Sequence, residues 1–193
     1  MSLNNSAEIT ELLDAWIEGE IESEAQLKSL IYHHLKGVVK QQINGQIKRQ
    51  PASSAQLPNT TSFLHDALIQ LVPPQECIRD SKQFYNYLAL FIRRMLLDEL
   101  KASSAQKRGA GVEHIKLTDL MFDEGDNHLY LRFEHALEEL KSISTRCFEV
   151  ALLHYFLGFN VKKIEKELTL SYRTVYRELD TAKAYIRAQL QAA

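Results

Sequence analysis

The 193-residue chain has only two cysteines, Cys77 and Cys147. They stand far apart, with no Cys-x-x-Cys and no paired histidine spacing, which argues against a disulfide framework or a zinc site and for two idle or buried thiols in a reducing compartment. No apolar run is long enough to span a membrane. The N-terminus is acidic and lacks an apolar signal core, so a cytoplasmic location is expected. Sustained period-two alternation is missing as well, and with it any reason to expect a sheet. There is no internal repeat and no heptad array. The marks of catalysis are also lacking: no Ser/His/Asp order, no glycine-rich phosphate loop, no His-Glu-x-x-His and no paired carboxylates in a plausible cleft. His33, His34 and His114 are isolated. The chain is therefore read as a non-enzyme with no metal and no cofactor.

What is present is apolar substance and unevenly placed charge. Hydrophobic residues make up 45%, enough for compact cores in one domain or two small ones. The formal net charge of −2 hides strong segregation. Residues 1–30 hold seven acids and one lysine, and residues 32–50 hold four bases and no acid. Residues 118–139 hold seven acids and one arginine, and residues 158–193 hold seven bases and four acids. Such alternation does not suit a single nucleic-acid surface; it suits separate modules, only some of which meet phosphate. The pI of about 6.4 speaks against indiscriminate DNA binding.

Apolar residues recur at helical spacing through most of the chain. Ile9, Leu12, Leu13, Trp16 and Ile17 mark a first helix closed by Gly19, and Ser23 with Gln26 resembles the capping box of a second. That helix carries Leu27, Leu30, Ile31, Leu35, Val38 and Val39. Residues 50–59 read as a loop. Thr60, Thr61 or Ser62 caps a third helix with Phe63, Leu64, Ala67, Leu68 and Leu71 on its apolar side, stopped by Pro73 and Pro74. Asp80 or Ser81 opens a fourth, from Phe84 to Leu100, with Arg93, Arg94 and Lys101 on its polar flank and the basic run Lys107-Arg108 at its end. The acids then gather and the pattern weakens. The expected division is an all-α chain: a helical module over residues 1–115, an acidic linker over 116–130 and a second module over 131–193.

In the second module a helix from about Ser144 to Leu157 leaves by a sharp turn at Gly158. Val161, Ile164 and Leu168 then form one apolar stripe, Thr169 and Leu170 interrupt it, and Ser171 has the chemistry of an N-cap. The helix after it buries Val175, Leu179, Ala182 and Ile186 and shows Tyr172, Arg173, Thr174, Tyr176, Arg177 and Lys183 on its opposite face. A short helix, a tight turn and a second helix with basic and hydroxyl groups near its start describe a helix-turn-helix, which enters a major groove by that N-terminal end. An ordinary helical hairpin with a solvated basic face has the same pattern.

Three stretches together resemble bacterial sigma factors of the extracytoplasmic-function type. They are Phe63 to Leu71, similar to the family's polymerase-docking helix; Tyr87-Leu88, Arg93, Asp98 and Leu100 in the fourth helix; and Gly158 to Ile186. Lys107-Arg108-Gly109-Ala110-Gly111 is closest to a subgroup with a Lys-Arg-Gly-Gly run there, associated with Ser/Thr kinases. The resemblance implies a factor that lends promoter specificity to core RNA polymerase, docking on its β′ clamp and β flap. Phe63, His65, Asp66, Ile69 and Gln70 would meet polymerase. Arg93, Arg94, Lys101, Lys107 and Arg108 would meet the phosphates of a melted −10 element, whose extruded bases need pockets or stacking. Phe84, Tyr85 and Tyr87 are possible stacking rings, though core is the commoner place for an aromatic in an apolar helix. Ser171, Arg173, Thr174, Tyr176, Arg177 and Lys183 would meet the −35 duplex, Arg by two bonds to guanine and the hydroxyls mostly at phosphate.

Three departures from the family pattern stand out. Thr169 occupies the usual glycine of the turn, at a cost if the site needs positive φ. Glu165 replaces a small alanine between the two helices and, with Glu167, makes the first of them more acidic. Asn59-Thr60-Thr61-Ser62 replaces an acidic run before the docking helix, and a phosphate on Thr60 or Thr61 would restore negative charge at a helix N-terminus. Phosphorylation there by a Ser/Thr kinase is one expectation; plain N-capping by the same residues is the other. Two further functions fit the residues: a stand-alone DNA-binding regulator, and a member that binds polymerase without reading promoters.

Overall fold

The computed structural model describes residues 3, 5–47, 60–72, 78, 80–106 and 127–191, with the side chains of 39–47, 60–63, 99–106 and 127–130 left aside. Eight helices account for most of them and no strand occurs among the described residues. The order is α1 Ser6–Ile17, α2 Ile21–Ile47, α3 Thr60–Gln70, α4 Ser81–Gln106, α5 Asn127–Ile143, α6 Thr145–Leu157, α7 Val161–Leu168 and α8 Tyr172–Gln191. The all-α reading holds.

Local chemistry sets most of the helix ends. Ile9, Leu13 and Trp16 bury one stripe of α1, and Gly19 turns the chain at φ 91°. The next helix starts two residues before Ser23. The expected capping box is absent: the Ser23 hydroxyl donates back to the Glu20 carboxylate just outside the helix. Asp80 caps α4, its Oδ1 accepting the Gln83 N–H at 2.7 Å. Ser144 caps α6 by accepting the Cys147 N–H at 3.2 Å. Gly158 ends α6 at φ 64°, ψ 22°, in the left-handed region that a Cβ resists. A Cβ there would also lie 2.7 Å from a methyl of Val38 on α2. The helix α5 begins at Asn127, inside the stretch read as linker. Residues 107–126, with Lys107, Arg108 and His114, lie outside the described residues, as do residues 50–59, read from sequence as a loop, and Pro73, Pro74 and Cys77.

The centre of the molecule is α6, buried on nearly every side through Cys147, Phe148, Val150, Ala151, Leu152, Leu153, Phe156 and Leu157. It is packed by α4, α5 and α8, while α2 carries α1 and α3. One continuous apolar cluster runs from Leu3 through Phe84 and Leu152 to Ile186. The Cys147 thiol is part of it: burial pushes its pKa up to about 11, so it is an inert thiol.

Candidate nucleic-acid interface

The last two helices are fastened by their termini. Asn160 caps α7, its Oδ1 accepting the Lys163 N–H at 3.0 Å. The helix stops at Thr169, which sits at φ 53°, ψ 43°, its N–H bonded to the Glu165 carbonyl. The turn does require positive φ, and a β-branched residue occupies it. Leu170 N–H reaches the same carbonyl at 3.1 Å. Ser171 then caps α8: its Oγ accepts the Thr174 N–H at 3.2 Å and lies 2.8 Å from the Thr174 hydroxyl. Glu165, expected to crowd the helix pair and add acidity to its first helix, has a further use. Its Oε1 accepts the Tyr172 N–H at 2.9 Å, so one residue closes α7 with its carbonyl and caps α8 with its carboxylate.

The sequence-derived stripe of α8 is the buried one: Val175, Leu179, Ala182 and Ile186. Its C-terminal end is tied to α5, since Arg132 donates to the carbonyls of Gln189 and Leu190 at 2.7 and 2.6 Å and Tyr185 donates to Glu139 at 2.9 Å. The N-terminal half faces outward. Ser171, Arg173, Tyr176, Arg177 and Lys183 are exposed and Thr174 is half-buried. Arg177 touches Glu178 only at 3.7 Å and its side chain stays 70% exposed. Glu178 is instead held by Arg146, at 2.9 and 2.7 Å, which leaves Arg177 able to reach outward. Tyr172 was not among the expected contact residues, yet it is as open as Tyr176 one turn on (51% and 54% exposed). Two exposed aromatics four residues apart are the signal that would have found it.

The candidates in the N-terminal helices are treated less evenly. Arg93 lies between two carboxylates of α5, Glu134 at 2.6 Å and Glu138 at 2.9 Å, with its side chain only 13% exposed. Burial works to lower its pKa, but the two carboxylates outweigh it and hold it above the ordinary value. Arg94 is open, in a loose 3.8 Å pair with Asp98, and the two share an open depression of about 410 Å³ with Leu90, Arg93 and Leu97. Lys101 is a backbone position of α4 whose side chain is outside the description, and Lys107 and Arg108 are outside it altogether. Phe84 and Tyr85 are fully buried, so neither ring is placed to stack on a base. Tyr87 is half-buried, its hydroxyl donating to the Val72 carbonyl at 3.2 Å.

On α3, Leu64 and Ala67 face the core, joined by Leu71 just past its end, and His65, Asp66, Ile69 and Gln70 are exposed. Ile69 at 65% and Val72 at 61% leave an apolar spot there. The side chains of Thr60, Thr61 and Phe63 fall outside the described residues. No group of His, Cys, Asp or Glu able to hold a metal occurs among the described residues.

The family described as ECF sigma factor matches residues 6–192. No curated protein and no solved structure matches the chain. The family match opens on the first residue of α1 and runs past the last of α8, so all eight helices fall within it. The chain belongs to the ECF sigma factor family.

Proposed function

We propose that the chain directs core RNA polymerase to specific promoters through two modules. Family membership makes it a transcription-initiation factor that works with polymerase and promoter DNA. In the finer reading, residues 1–115 dock on the β′ clamp through His65, Asp66, Ile69 and Gln70, with Phe63, and take up the opened −10 element with Arg93, Arg94, Lys101, Lys107 and Arg108. Residues 131–193 meet the β flap and read the −35 duplex through a helix-turn-helix formed by α7 and α8. The observation that carries this reading is the free N-terminal half of α8, where Arg173 and Arg177 project beside Ser171, Thr174 and Tyr176 from a helix anchored at its other end. The factor works in the cytoplasm, where polymerase and promoters are; no described helix is long and apolar enough to cross a membrane.

Phosphorylation is the second part of the proposal. The docking helix begins at Thr60, so a phosphate on Thr60 or Thr61 would lie in its first turn, where the helix dipole favours negative charge. A Ser/Thr kinase is then the activating partner. Run-off transcription with core polymerase and genomic fragments, with and without such a kinase, tests both parts. Transcripts are expected to fall about tenfold or more in Arg173→Ala/Arg177→Ala, since each guanine-reading arginine contributes about 1–3 kcal/mol. Polymerase recovery in a pull-down should rise for Thr61→Glu over Thr61→Ala; equal recovery ends the phosphorylation part. A duplex shifted by the chain without polymerase would favour a stand-alone regulator instead.

A further inference from the structure

Glu178 is an acid on the flank of the face of α8 that carries Arg173 and Arg177. Its side chain is only 9% exposed, and α6 holds the residue twice. The Cys147 thiol donates to its backbone carbonyl at 3.3 Å. Arg146 puts two bonds on a single carboxylate oxygen, from Nε at 2.9 Å and from Nη2 at 2.7 Å. The one other cation within 4 Å of that carboxylate among the described residues is Arg177, whose Nη2 lies 3.7 Å from the same oxygen. Two arginines from different helices thus compete for one oxygen, and Arg146 has the shorter contacts.

Nothing local asks for an arginine at position 146. It is the second residue of α6, where the helix dipole disfavours a cation. Its side chain is 52% exposed, so apolar burial does not hold it there either. What holds it is the Glu178 carboxylate, and the effect is felt on α8. A shielded carboxylate left without a partner is unfavourable and draws the nearest cation. It would also repel the phosphates that the exposed half of α8 is to approach. Were Arg177 to supply the missing partner, its guanidinium would turn back toward α6. The fork that matches a guanine edge would then be taken up by glutamate.

We propose that Arg146 is a positioning residue for DNA reading: by neutralising Glu178 from the neighbouring helix, it keeps the Arg177 guanidinium free for the duplex. It acts through Arg177 and need not touch DNA. The consequence for promoters rests on the −35 role proposed above; the release of Arg177 in the free chain does not.

The test uses the full-length chain, alone and in holoenzyme. The free chain is treated with phenylglyoxal, which modifies accessible, unpaired guanidinium groups, and modification of Arg177 is followed by mass spectrometry. This readout needs neither polymerase nor DNA. Holoenzyme affinity is measured on the genomic fragment that gives the strongest run-off transcript. In Arg146→Ala, Arg177 should be modified more slowly than in wild type, and affinity should fall about tenfold, the size of a lost guanine contact. In Arg146→Ala/Glu178→Gln, which also removes the charge that recaptures Arg177, both readouts should return to within about twofold of wild type. Arg146→Gln still donates to Glu178 but leaves its charge uncompensated, and should behave as Arg146→Ala does; it takes that variant's place if circular dichroism shows the alanine to cost helix. Arg177 as reactive in both single variants as in wild type overturns the proposal. So does a loss of affinity that Glu178→Gln fails to restore, which would make Arg146 a phosphate contact or a strut between helices. Slower modification of Arg177 with unchanged promoter affinity leaves the positioning in place and removes Arg177 from the −35 reading.

Discussion

Thr169 shows how a single backbone angle can carry a cost the rest of the sequence does not reveal. Apart from glycines, it alone among the described residues has positive φ. A left-handed conformation costs an L-residue about 1–2 kcal/mol, and branching at Cβ makes it worse. Thr169→Gly should therefore raise stability by about 1 kcal/mol, part of the relief being offset by the freedom glycine gains when unfolded. Urea denaturation reads this as a higher midpoint at unchanged slope; a lower midpoint would mean the threonine is held by something stronger than its strain. The turn position itself was legible, because Leu168 ends an apolar stripe and Ser171 can start a helix. Glu167 was not. Its partners Ser6 and Ser81 lie 161 and 86 positions away, and no local pattern encodes a meeting at that distance. From sequence it read only as added acidity on a short helix.

At the scale of helices, the legible ends are those with a side chain able to close them. Asp80, Ser144 and Gly158 each sit where an orphan backbone group or a left-handed residue is needed. The misread starts belong to α2 and α5. In α2 the serine donates to a carboxylate instead of accepting from the backbone, and residue type alone does not distinguish the two. In α5 the helix begins directly after a run of acids, which favour a helix N-terminus but look like linker composition. Glu165 belongs to the same scale. Its carboxylate occupies the N-terminus of α8, the place where a DNA phosphate would otherwise meet backbone N–H groups. Glu165→Gln retains an acceptor for Tyr172 and removes the charge. The holoenzyme carrying it should bind promoter fragments about threefold more tightly at low salt. Glu165→Ala should instead cost about 1 kcal/mol of stability through the lost cap. Unchanged promoter affinity in the glutamine variant would show that no phosphate comes near this end.

For the whole molecule, two groups that titrate below neutral pH lie in the seam between the N-terminal helices and the α6–α7 corner. Burial lowers the His34 pKa below its ordinary 6.5, the bond to the Leu157 carbonyl opposes this, and the Lys163 charge adds to it. Burial works to raise Glu167, but its bonds from Lys163, Ser6 and Ser81 and the Lys163 charge carry it below the ordinary 4.5. Both groups bind a proton more readily in the unfolded chain, so their contribution to stability is complete above pH 6.5 and declines on acidification, first through His34 and then, below pH 4.5, through Glu167. Urea midpoints measured from pH 7.5 downward should show two descending stages. His34→Gln, which can still donate to Leu157, should flatten the first and spare the second. A midpoint that rises on acidification would contradict both assignments. The all-α architecture was legible because period and caps are local. The closeness of α4 to the C-terminal helices was not, because it depends on pairs such as Arg93 with Glu134.

That seam is joined by ions as much as by hydrocarbon. Two greasy faces drawn apart in water stay unfavourable for as long as they are wet. An ammonium and a carboxylate drawn apart are hydrated at once, and the solvent replaces much of what they gave up. A joint centred on Lys163 and Glu167 therefore fixes which surfaces meet, while the apolar cluster that runs beneath it keeps them together.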